Sequence, residues 1–177
     1  MLLIQMTGLS GAGKSTIAQA VQKQLIDLGY KVELIDGDAY RQHLCRDLGF
    51  SKADRLENIH RLGFVGLTLA RHGIIAILAA INPYEEARQL LKQKSALVKT
   101  VFIECPLSIT TARDPKGLYR KALLPSEHPD YIGGFTGISD PFEPPQNADL
   151  TLRTHLQTIE TSVRQLVDFI QNSIQTR

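Results

Sequence analysis

The sequence predicts an α/β fold in which a parallel sheet carries helices on both faces and a long irregular segment forms a mobile lid. Short apolar runs alternate with longer segments of helical character, as in sheets built from strand–helix units. Most runs are rich in Val, Ile and Leu throughout, which is typical of strands covered on both faces. No Pro/Gly/Ser linker divides the 177 residues, so residues 1–177 are expected to form a single domain.

Five strands and five helices are expected in alternation. The strands are predicted at Leu2–Thr7, Val32–Asp36, Ile74–Ala80, Thr100–Glu104 and Asp149–Arg153. The helices are predicted at roughly Lys14–Leu28, Asp38–Cys45, Ser51–His72, Pro83–Lys94 and Thr154–Ile174. The third helix starts with a capping-box-like Ser51 and Asp54, and the last has apolar residues at helical spacing, which indicates core or dimer packing.

One segment, Arg113 to Pro145, breaks this alternation. It is rich in Pro, Gly and charged residues and has little periodicity. A structureless stretch of this length inside a compact domain is usually functional or mobile, so we expect a lid over a ligand at about 113–145. The alternative is a surface loop without a function.

Composition excludes several classes of protein. A hydrophobic fraction of 43% and a net charge of +2 exclude an intrinsically disordered chain. There is no Lys/Arg block, so no nucleic-acid partner is expected. The longest apolar run, Ile74–Ile81, is too short to cross a membrane. Cys45 and Cys105 lack disulfide or zinc spacing, so they are expected to be buried thiols of a cytoplasmic protein.

A glycine-rich motif lies between the first predicted strand and the first predicted helix. Its residues, Gly8-Leu9-Ser10-Gly11-Ala12-Gly13-Lys14-Ser15, fit the pattern G-x-x-x-x-G-K-[ST] at every fixed position. In this context the pattern indicates a phosphate loop (residues 8–15), whose N–H groups and following helix N-terminus bind phosphate oxygens. The motif therefore predicts a fold of the P-loop NTPase type. An ordinary glycine-rich turn is the alternative.

The phosphate loop predicts that the chain binds ATP together with Mg²⁺. Lys14 is expected to contact the β- and γ-phosphates, and the Ser15 hydroxyl to ligate Mg²⁺. The expected ATP-binding residues of this region are Gly8, Ser10, Gly11, Ala12, Gly13, Lys14, Ser15 and Thr16. The chain has no N-K-x-D guanine signature, and its short length and predicted lid favour a small-molecule kinase over a motor or a switch.

Residues after the second predicted strand indicate where a second substrate binds. Asp36 ends that strand at the sheet edge where parallel sheets bind ligands. Its carboxylate could hold Mg²⁺ through water or accept the proton of an attacking hydroxyl. Asp38 either belongs to this site or only caps the next helix.

Four side chains further along suit an anionic ligand with a flat ring. Arg55 and Asn58 are spaced i, i+3, so they project from one face of the third helix. Together with Arg41 and Phe50 they supply two guanidinium groups, an amide and an aromatic face. The alternative is a solvated basic helix face with Phe50 in the core.

Read together, these motifs resemble those of the adenylyl-sulfate (APS) kinases. The matching segments are the phosphate loop, Asp36-Gly37-Asp38 with Arg41, Asp47-Leu48-Gly49-Phe50-Ser51, Asp54-Arg55 with Glu57-Asn58-Ile59, Arg113-Asp114-Pro115-Lys116-Gly117-Leu118-Tyr119, and Gly134-Phe135-Thr136-Gly137-Ile138. The resemblance implies transfer of the γ-phosphoryl group of MgATP to the 3′-hydroxyl of adenosine 5′-phosphosulfate (APS). The product would be 3′-phosphoadenylyl sulfate (PAPS), an intermediate of sulfate assimilation.

The resemblance also implies roles for individual residues. Lys14, Asp36 and Lys116 would be catalytic, Ser15 and Asp36 would hold Mg²⁺, and Arg113 would lie beside the ATP adenine. The implied APS-binding residues are Asp38, Arg41, Phe50, Arg55, Asn58, Ile81 and Phe135, with the two phenylalanines on either side of the APS adenine. A homodimer and functional coupling to an ATP sulfurylase are implied as well.

The chain departs from the family pattern at two notable places. The family usually has I-S-P-Y where this chain has Ile81-Asn82-Pro83-Tyr84, and the family's serine has been assigned as a phosphorylated intermediate. Asparagine cannot be that nucleophile, so direct in-line transfer is expected. The lid is several residues longer than usual between Ala122 and Phe135. Two alternatives stay open: a related kinase with another hydroxylated acceptor, and a nucleotide-binding regulator without turnover.

Overall fold

A computed structural model describes residues 1–175 of the chain. Within them, five parallel strands form a sheet in the order β2-β3-β1-β4-β5. The strands are β1 Leu3–Thr7, β2 Val32–Asp36, β3 Ile75–Ala79, β4 Val98–Glu104 and β5 Leu150–Arg153. The central strand β1 is buried along its whole length, so its apolar residues do not alternate with exposed ones, and its two polar residues, Gln5 and Thr7, are buried as well.

Helices cover both faces of the sheet, as the sequence predicted. They are α1 Lys14–Asp27, α2 Gly37–Leu44, α3 Lys52–Arg71, α4 Glu85–Lys94, α5 Leu107–Arg113, α6 Leu118–Ala122 and α7 Ile159–Gln175. On one face, Ile4 and Met6 of β1 pack with apolar residues of α1 and α7. On the other face, Leu3 packs with apolar residues of α3 and α4. Alternate residues of β1 thus enter two cores, and the apolar stripe of α7 belongs to the first.

The expectation that the lid segment, residues 113–145, lacks regular structure holds for residues 123–145 and is wrong for residues 113–122. It contains α6, and α5 precedes it and ends at its first residue. Neither helix exceeds two turns, so hydrophobic periodicity could not reveal them. The start of α6 is held by the Asp114 carboxylate, whose two oxygens accept the N–H groups of Tyr119 and Arg120, each at 3.0 Å.

The last helix begins at Ile159, whereas the sequence predicted that it begins at Thr154. The Thr154 hydroxyl donates to the Ala12 carbonyl at 2.8 Å, and the Thr154 N–H donates to the Glu104 carbonyl at 3.1 Å. These bonds hold the residues after β5 against the phosphate loop. The helix can start only after this tether ends.

Two expectations from composition concern burial and membranes. Cys45 and Cys105 are free thiols and both are buried, as predicted. No helix within residues 1–175 is long and apolar enough to span a bilayer.

Candidate active site

The phosphate loop connects the carboxyl end of β1 to the first turn of α1. Gly8 has φ +153°, and a Cβ placed on it would lie 2.5 Å from the Ile103 carbonyl oxygen, so only glycine fits there. The Gly8 N–H donates to the Ile81 carbonyl at 3.2 Å, which ties the loop to the end of β3. The conformation expected of a phosphate-binding turn therefore depends on contacts with both neighbouring strands.

Lys14 lies buried beneath this loop. Its ammonium group donates to the carbonyl oxygens of Gly8 and Leu9, each at 2.8 Å. The pKa of Lys14 is lowered from 10.5 to about 8, mainly because the group is buried; the charge of Lys116 acts in the same direction, and the charges of Asp38 and Asp36 oppose it. A cation that has lost most of its hydration and lies beside a phosphate loop is suited to bind phosphate.

Two aspartates at the end of β2 line the same cleft as the phosphate loop: Asp36 is the last residue of the strand, and Asp38 lies two residues later. The Asp36 Oδ1 atom accepts the N–H groups of Asp38 and Ala39 at 3.0 and 3.1 Å, so Asp36 and not Asp38 is the N-cap of α2. The Oδ2 atom lies 3.5 Å from the Ser15 hydroxyl oxygen. The reading of Asp38 as the helix cap is therefore wrong, because the chain enters the helix two residues earlier.

The Asp38 side chain instead contacts the lid segment. Its Oδ2 atom accepts a hydrogen bond from the Lys116 ammonium at 2.6 Å. This bond raises the pKa of Lys116 above its ordinary value, since it favours the charged form. The predicted lid cation thus lies in the same cleft as Lys14, Ser15 and Asp36.

Arg113 lies on the other side of the phosphate loop. With Gly11, Gly13, Thr16 and Thr154 it lines a cleft that opens beside the loop. Its guanidinium group donates to the Thr154 carbonyl at 3.3 Å. The position suits the predicted contact with the ATP adenine, and that role stays a prediction.

At the sheet edge, another cleft adjoins the first one described, which contains Lys14, Ser15, Asp36 and Lys116. We call it the acceptor cleft; its lining includes the predicted residues Asp38, Arg41, Phe50, Arg55, Asn58 and Ile81. The first cleft, which holds the phosphate loop and Lys116, shares Asp38, Ala80 and Ile81 with it. Two binding regions therefore meet at the carboxyl ends of β2 and β3, where open parallel sheets bind ligands.

The aromatic side chain of the acceptor cleft is exposed between two arginines. Phe50 is 67% exposed, and its ring centroid lies 4.5 Å from the Arg41 guanidinium carbon and 5.7 Å from that of Arg55. The Arg55 side chain is only 13% exposed. The alternative of a solvated helix face with Phe50 in the core is therefore wrong.

Arg55 also joins α3 to the lid. Its guanidinium group donates to the Phe50 carbonyl at 3.0 Å, the Thr136 hydroxyl at 3.1 Å and the Gly134 carbonyl at 2.5 Å. Phe135 lies between these two lid partners, yet its ring is buried against Tyr119 and does not line the acceptor cleft. The predicted stacking of Phe50 and Phe135 on one adenine stays a prediction.

Two buried amide oxygens in the acceptor cleft have no hydrogen-bond partner. They are Asn58 Oδ1 and Asn82 Oδ1. Among residues 1–175, no other buried side-chain nitrogen or oxygen atom lacks a hydrogen-bond partner. Asn82 also has φ +45°, and its amide nitrogen donates to Gln5 at 3.3 Å. Unpaired buried polar groups are rare and often occur where a ligand binds.

Sequence reasoning missed the side chain that holds this region together. Arg88 is 1% exposed, and it donates to the Asn82 carbonyl at 2.7 Å, the Glu143 carbonyl at 2.6 Å and the Glu85 carboxylate at 2.7 Å. It therefore joins the loop after β3 to the end of the lid segment. The i, i+3 spacing of Glu85 and Arg88 was the available signal, but such a pair usually lies on a helix surface.

No cluster of three or more His, Cys, Asp or Glu side chains in the described chain could hold a metal ion by itself. The oxygens of Ser15 and Asp36 nevertheless fit Mg²⁺, which typically takes one or two protein oxygens and completes its shell with water and substrate phosphates. The donor set is therefore appropriate for a metal that arrives with a nucleotide.

A sequence model of the family described as Adenylylsulphate kinase matches residues 1–153. The chain belongs to the adenylyl-sulfate kinase family. Among its relatives in this family, an adenylyl-sulfate kinase of Microcystis aeruginosa is 49% identical over 160 residues, or 90% of this chain and 86% of the relative. Another, from Deinococcus deserti, is 46% identical over 168 residues, or 95% of this chain and 90% of the relative.

Solved structures of APS kinases have the same fold as this chain. The APS kinase of Mycobacterium tuberculosis in complex with AMPPNP and APS superposes with a TM-score of 0.87 at 37% identity, covering 96% of this chain and 97% of that one. A hexameric APS kinase from Thiobacillus denitrificans gives a TM-score of 0.70 at 30% identity, covering 97% of this chain and 29% of that one. A gluconokinase from Sinorhizobium meliloti, at 18% identity and a TM-score of 0.61, is similar in fold alone.

Proposed function

We propose that this chain is an adenylyl-sulfate kinase that transfers the γ-phosphoryl group of ATP to the 3′-hydroxyl of APS, giving PAPS for sulfate assimilation. The observation that carries the proposal is the meeting of two clefts at Asp38, Ala80 and Ile81. One cleft contains a phosphate loop, and the other contains two arginines, an amide and an exposed phenylalanine. A donor triphosphate and an anionic nucleotide acceptor fit this pair.

The catalytic roles follow from charge and position. Lys14 binds the β- and γ-phosphates, and Lys116 leaves Asp38 to stabilise the charge that develops on the transferring group. Asp36 orients the 3′-hydroxyl through Oδ2, because Oδ1 is engaged in capping α2. With asparagine at position 82, the phosphoryl group passes directly from ATP to APS.

Different residues of the site bind different parts of APS. Arg41 and Arg55 bind the phosphosulfate oxygens, since guanidinium groups match such oxygens in pairs. Asn58 and Ile81 position the ribose and phosphosulfate, and Phe50 and Phe135 stack on the adenine. Arg113 contacts the ATP adenine in the cleft on the opposite side of the loop.

Mg²⁺ is the metal that accompanies ATP in this proposal. Ser15 and Asp36 hold it, the latter directly or through water. When bound, it neutralises charge on the β- and γ-phosphates.

The cellular setting is proposed on the same grounds. We place the protein in the cytoplasm as a homodimer that receives APS from an ATP sulfurylase, with residues 113–145 closing as a lid. Size-exclusion chromatography with light scattering tests the dimer, and a monomer at micromolar concentration would contradict it.

A coupled assay of ADP release tests the activity. ADP is measured with MgATP in the presence and absence of APS, PAPS is detected by chromatography, and Lys14→Ala is the inactive control. We expect APS-dependent ADP and an equal amount of PAPS. If neither forms, calorimetry with APS separates the alternatives: tight binding without turnover would identify a regulator, and no binding would indicate a kinase for another hydroxylated acceptor.

A further inference from the structure

Tyr119 lies between the phosphate loop and the acceptor-side lid, and the mechanism above does not use it. Its side chain is 1% exposed. Its hydroxyl donates to the Ser10 carbonyl at 3.0 Å, and its ring meets the Phe135 ring edge to face at a centroid distance of 5.0 Å. One buried side chain therefore contacts the phosphate loop and the stretch of the lid segment that binds Arg55.

The hydrogen bond to Ser10 fixes more than one atom. The Ser10 carbonyl and the Gly11 N–H belong to one planar trans peptide, so they point in opposite directions. Because the Tyr119 hydroxyl binds the carbonyl, the Gly11 N–H points away from that hydroxyl. Successive N–H groups of a phosphate loop bind phosphate on the concave side of the loop.

This peptide needs an external restraint. Gly11 has φ +73°, and glycine changes its backbone conformation at little cost, so the Ser10–Gly11 peptide could rotate. The neighbouring groups belong to the start of the lid segment and to α5, which precedes it. A Cβ on Gly11 would lie 3.3 Å from Pro115 Cδ and 3.4 Å from the Thr110 carbonyl oxygen.

Tyr119 is itself held in place. The Asp114 carboxylate accepts the Tyr119 N–H at 3.0 Å, and Leu118, Ile132 and Ile138 pack around the rings of Tyr119 and Phe135. The hydroxyl is therefore presented to Ser10 by a small core of the lid segment, rather than by a mobile surface side chain.

We propose that Tyr119 is a positioning residue for ATP: its hydroxyl holds the Ser10–Gly11 peptide so that the Gly11 N–H faces the phosphates. Tyr119→Phe removes this bond and keeps the ring packed against Phe135. A neutral hydrogen bond typically contributes about 1 kcal/mol, so the variant is expected to bind the ATP analogue AMPPNP about fivefold more weakly. Adenosine, which has no phosphate, should bind the variant and the parent equally.

Calorimetry on the full chain tests this with Mg-AMPPNP, adenosine and APS in turn. Tyr40→Phe is the matched control, because it removes a hydroxyl that donates to Glu33 at 2.6 Å outside the phosphate loop. We expect weaker AMPPNP binding only in Tyr119→Phe, with APS and adenosine binding unchanged in both variants. Each variant loses one hydrogen bond of the free protein, so both should lose a similar, small amount of stability. Unchanged AMPPNP affinity, or an equal loss for all three ligands, would overturn the proposal.

A second measurement does not depend on the variant folding well. In ¹⁵N-glycine-labelled parent protein, the Gly11 amide resonance should move downfield when Mg-AMPPNP binds, because the N–H acquires a phosphate acceptor. A Gly11 resonance that does not respond would also overturn the proposal. Neither experiment requires turnover of APS, so an error in the proposed acceptor would leave both outcomes interpretable.

Discussion

Replacement of Arg55 by alanine tests the acceptor cleft most directly. The structure gives this guanidinium group three hydrogen bonds, to Phe50, Thr136 and Gly134, and places its charge 3.7 Å from Asp140. The same group is proposed to bind the phosphosulfate of APS. The substitution therefore removes a substrate contact and a tether between α3 and the lid.

The magnitude can be worked out from these contacts. Loss of one partner of a mostly buried, hydrogen-bonded charge pair costs about 2–4 kcal/mol, which corresponds to about 30-fold to 700-fold weaker APS binding. Arg55 lines neither of the two clefts beside the phosphate loop, so ATP binding should change by less than about threefold. The free energy of unfolding should fall by about 1–3 kcal/mol as the lid tether is lost.

Calorimetry with APS and AMPPNP separately, together with urea unfolding, measures these quantities. Arg55→Lys is the matched control: it keeps the charge but not the planar fork, so it should recover only part of the APS affinity. An equal loss of affinity for the two ligands would refute the assignment of Arg55 to the acceptor. Unchanged APS affinity with reduced stability would show that Arg55 serves the lid alone.

Three further predictions concern the catalytic groups. Lys14 has a pKa of about 8 in the free protein, and phosphate favours its charged form, so nucleotide binding at about pH 9 should take up a proton. Calorimetry in two buffers of different ionisation enthalpy measures this uptake, which should be absent at about pH 6 and in Lys14→Ala; no uptake at the higher pH would contradict the buried cation. Lys116→Ala should lower kcat about 100-fold with little change in stability, since its pair with Asp38 is exposed, and a changed KM with the parent kcat would contradict its role. Asn82→Gly should retain kcat within about tenfold, because glycine accepts φ +45° and Asn82 is no nucleophile; complete loss of PAPS formation, or a phosphorylated parent enzyme in intact-mass spectra after ATP alone, would contradict direct transfer.

Much of the fold could be predicted because its strands can be recognised from short stretches of the sequence. The predicted second strand, Val32–Asp36, has the observed bounds, and the other four are displaced by two residues or fewer at either end. Buried parallel strands are mostly apolar, so the sequence marks them strongly. The helices α5 and α6 were missed because short helices carry no periodicity, and α6 depends on the side chain of Asp114, which precedes it.

The site was predictable where its residues adjoin strand ends. Asp36, Asp38 and Ile81 lie at or just beyond the ends of parallel strands, so topology alone brings them to one edge of the sheet. The position of Phe135 was not predictable in the same way. Whether its ring faces the acceptor cleft or Tyr119 depends on how the lid folds, and local sequence does not encode that choice.

The sequence by itself determined the kind of chemistry: a phosphate loop with its lysine and serine, a carboxylate at a strand end, and an arginine and an asparagine spaced along one helix. These features are short-range, so residue type and spacing define them. Only the tertiary structure decided which groups meet: Lys116 reaches Asp38 across 78 residues, and Tyr119 reaches Ser10 across 109. Such contacts depend on the order of the strands and the packing of the lid, because the chain between the partners does not fix their distance.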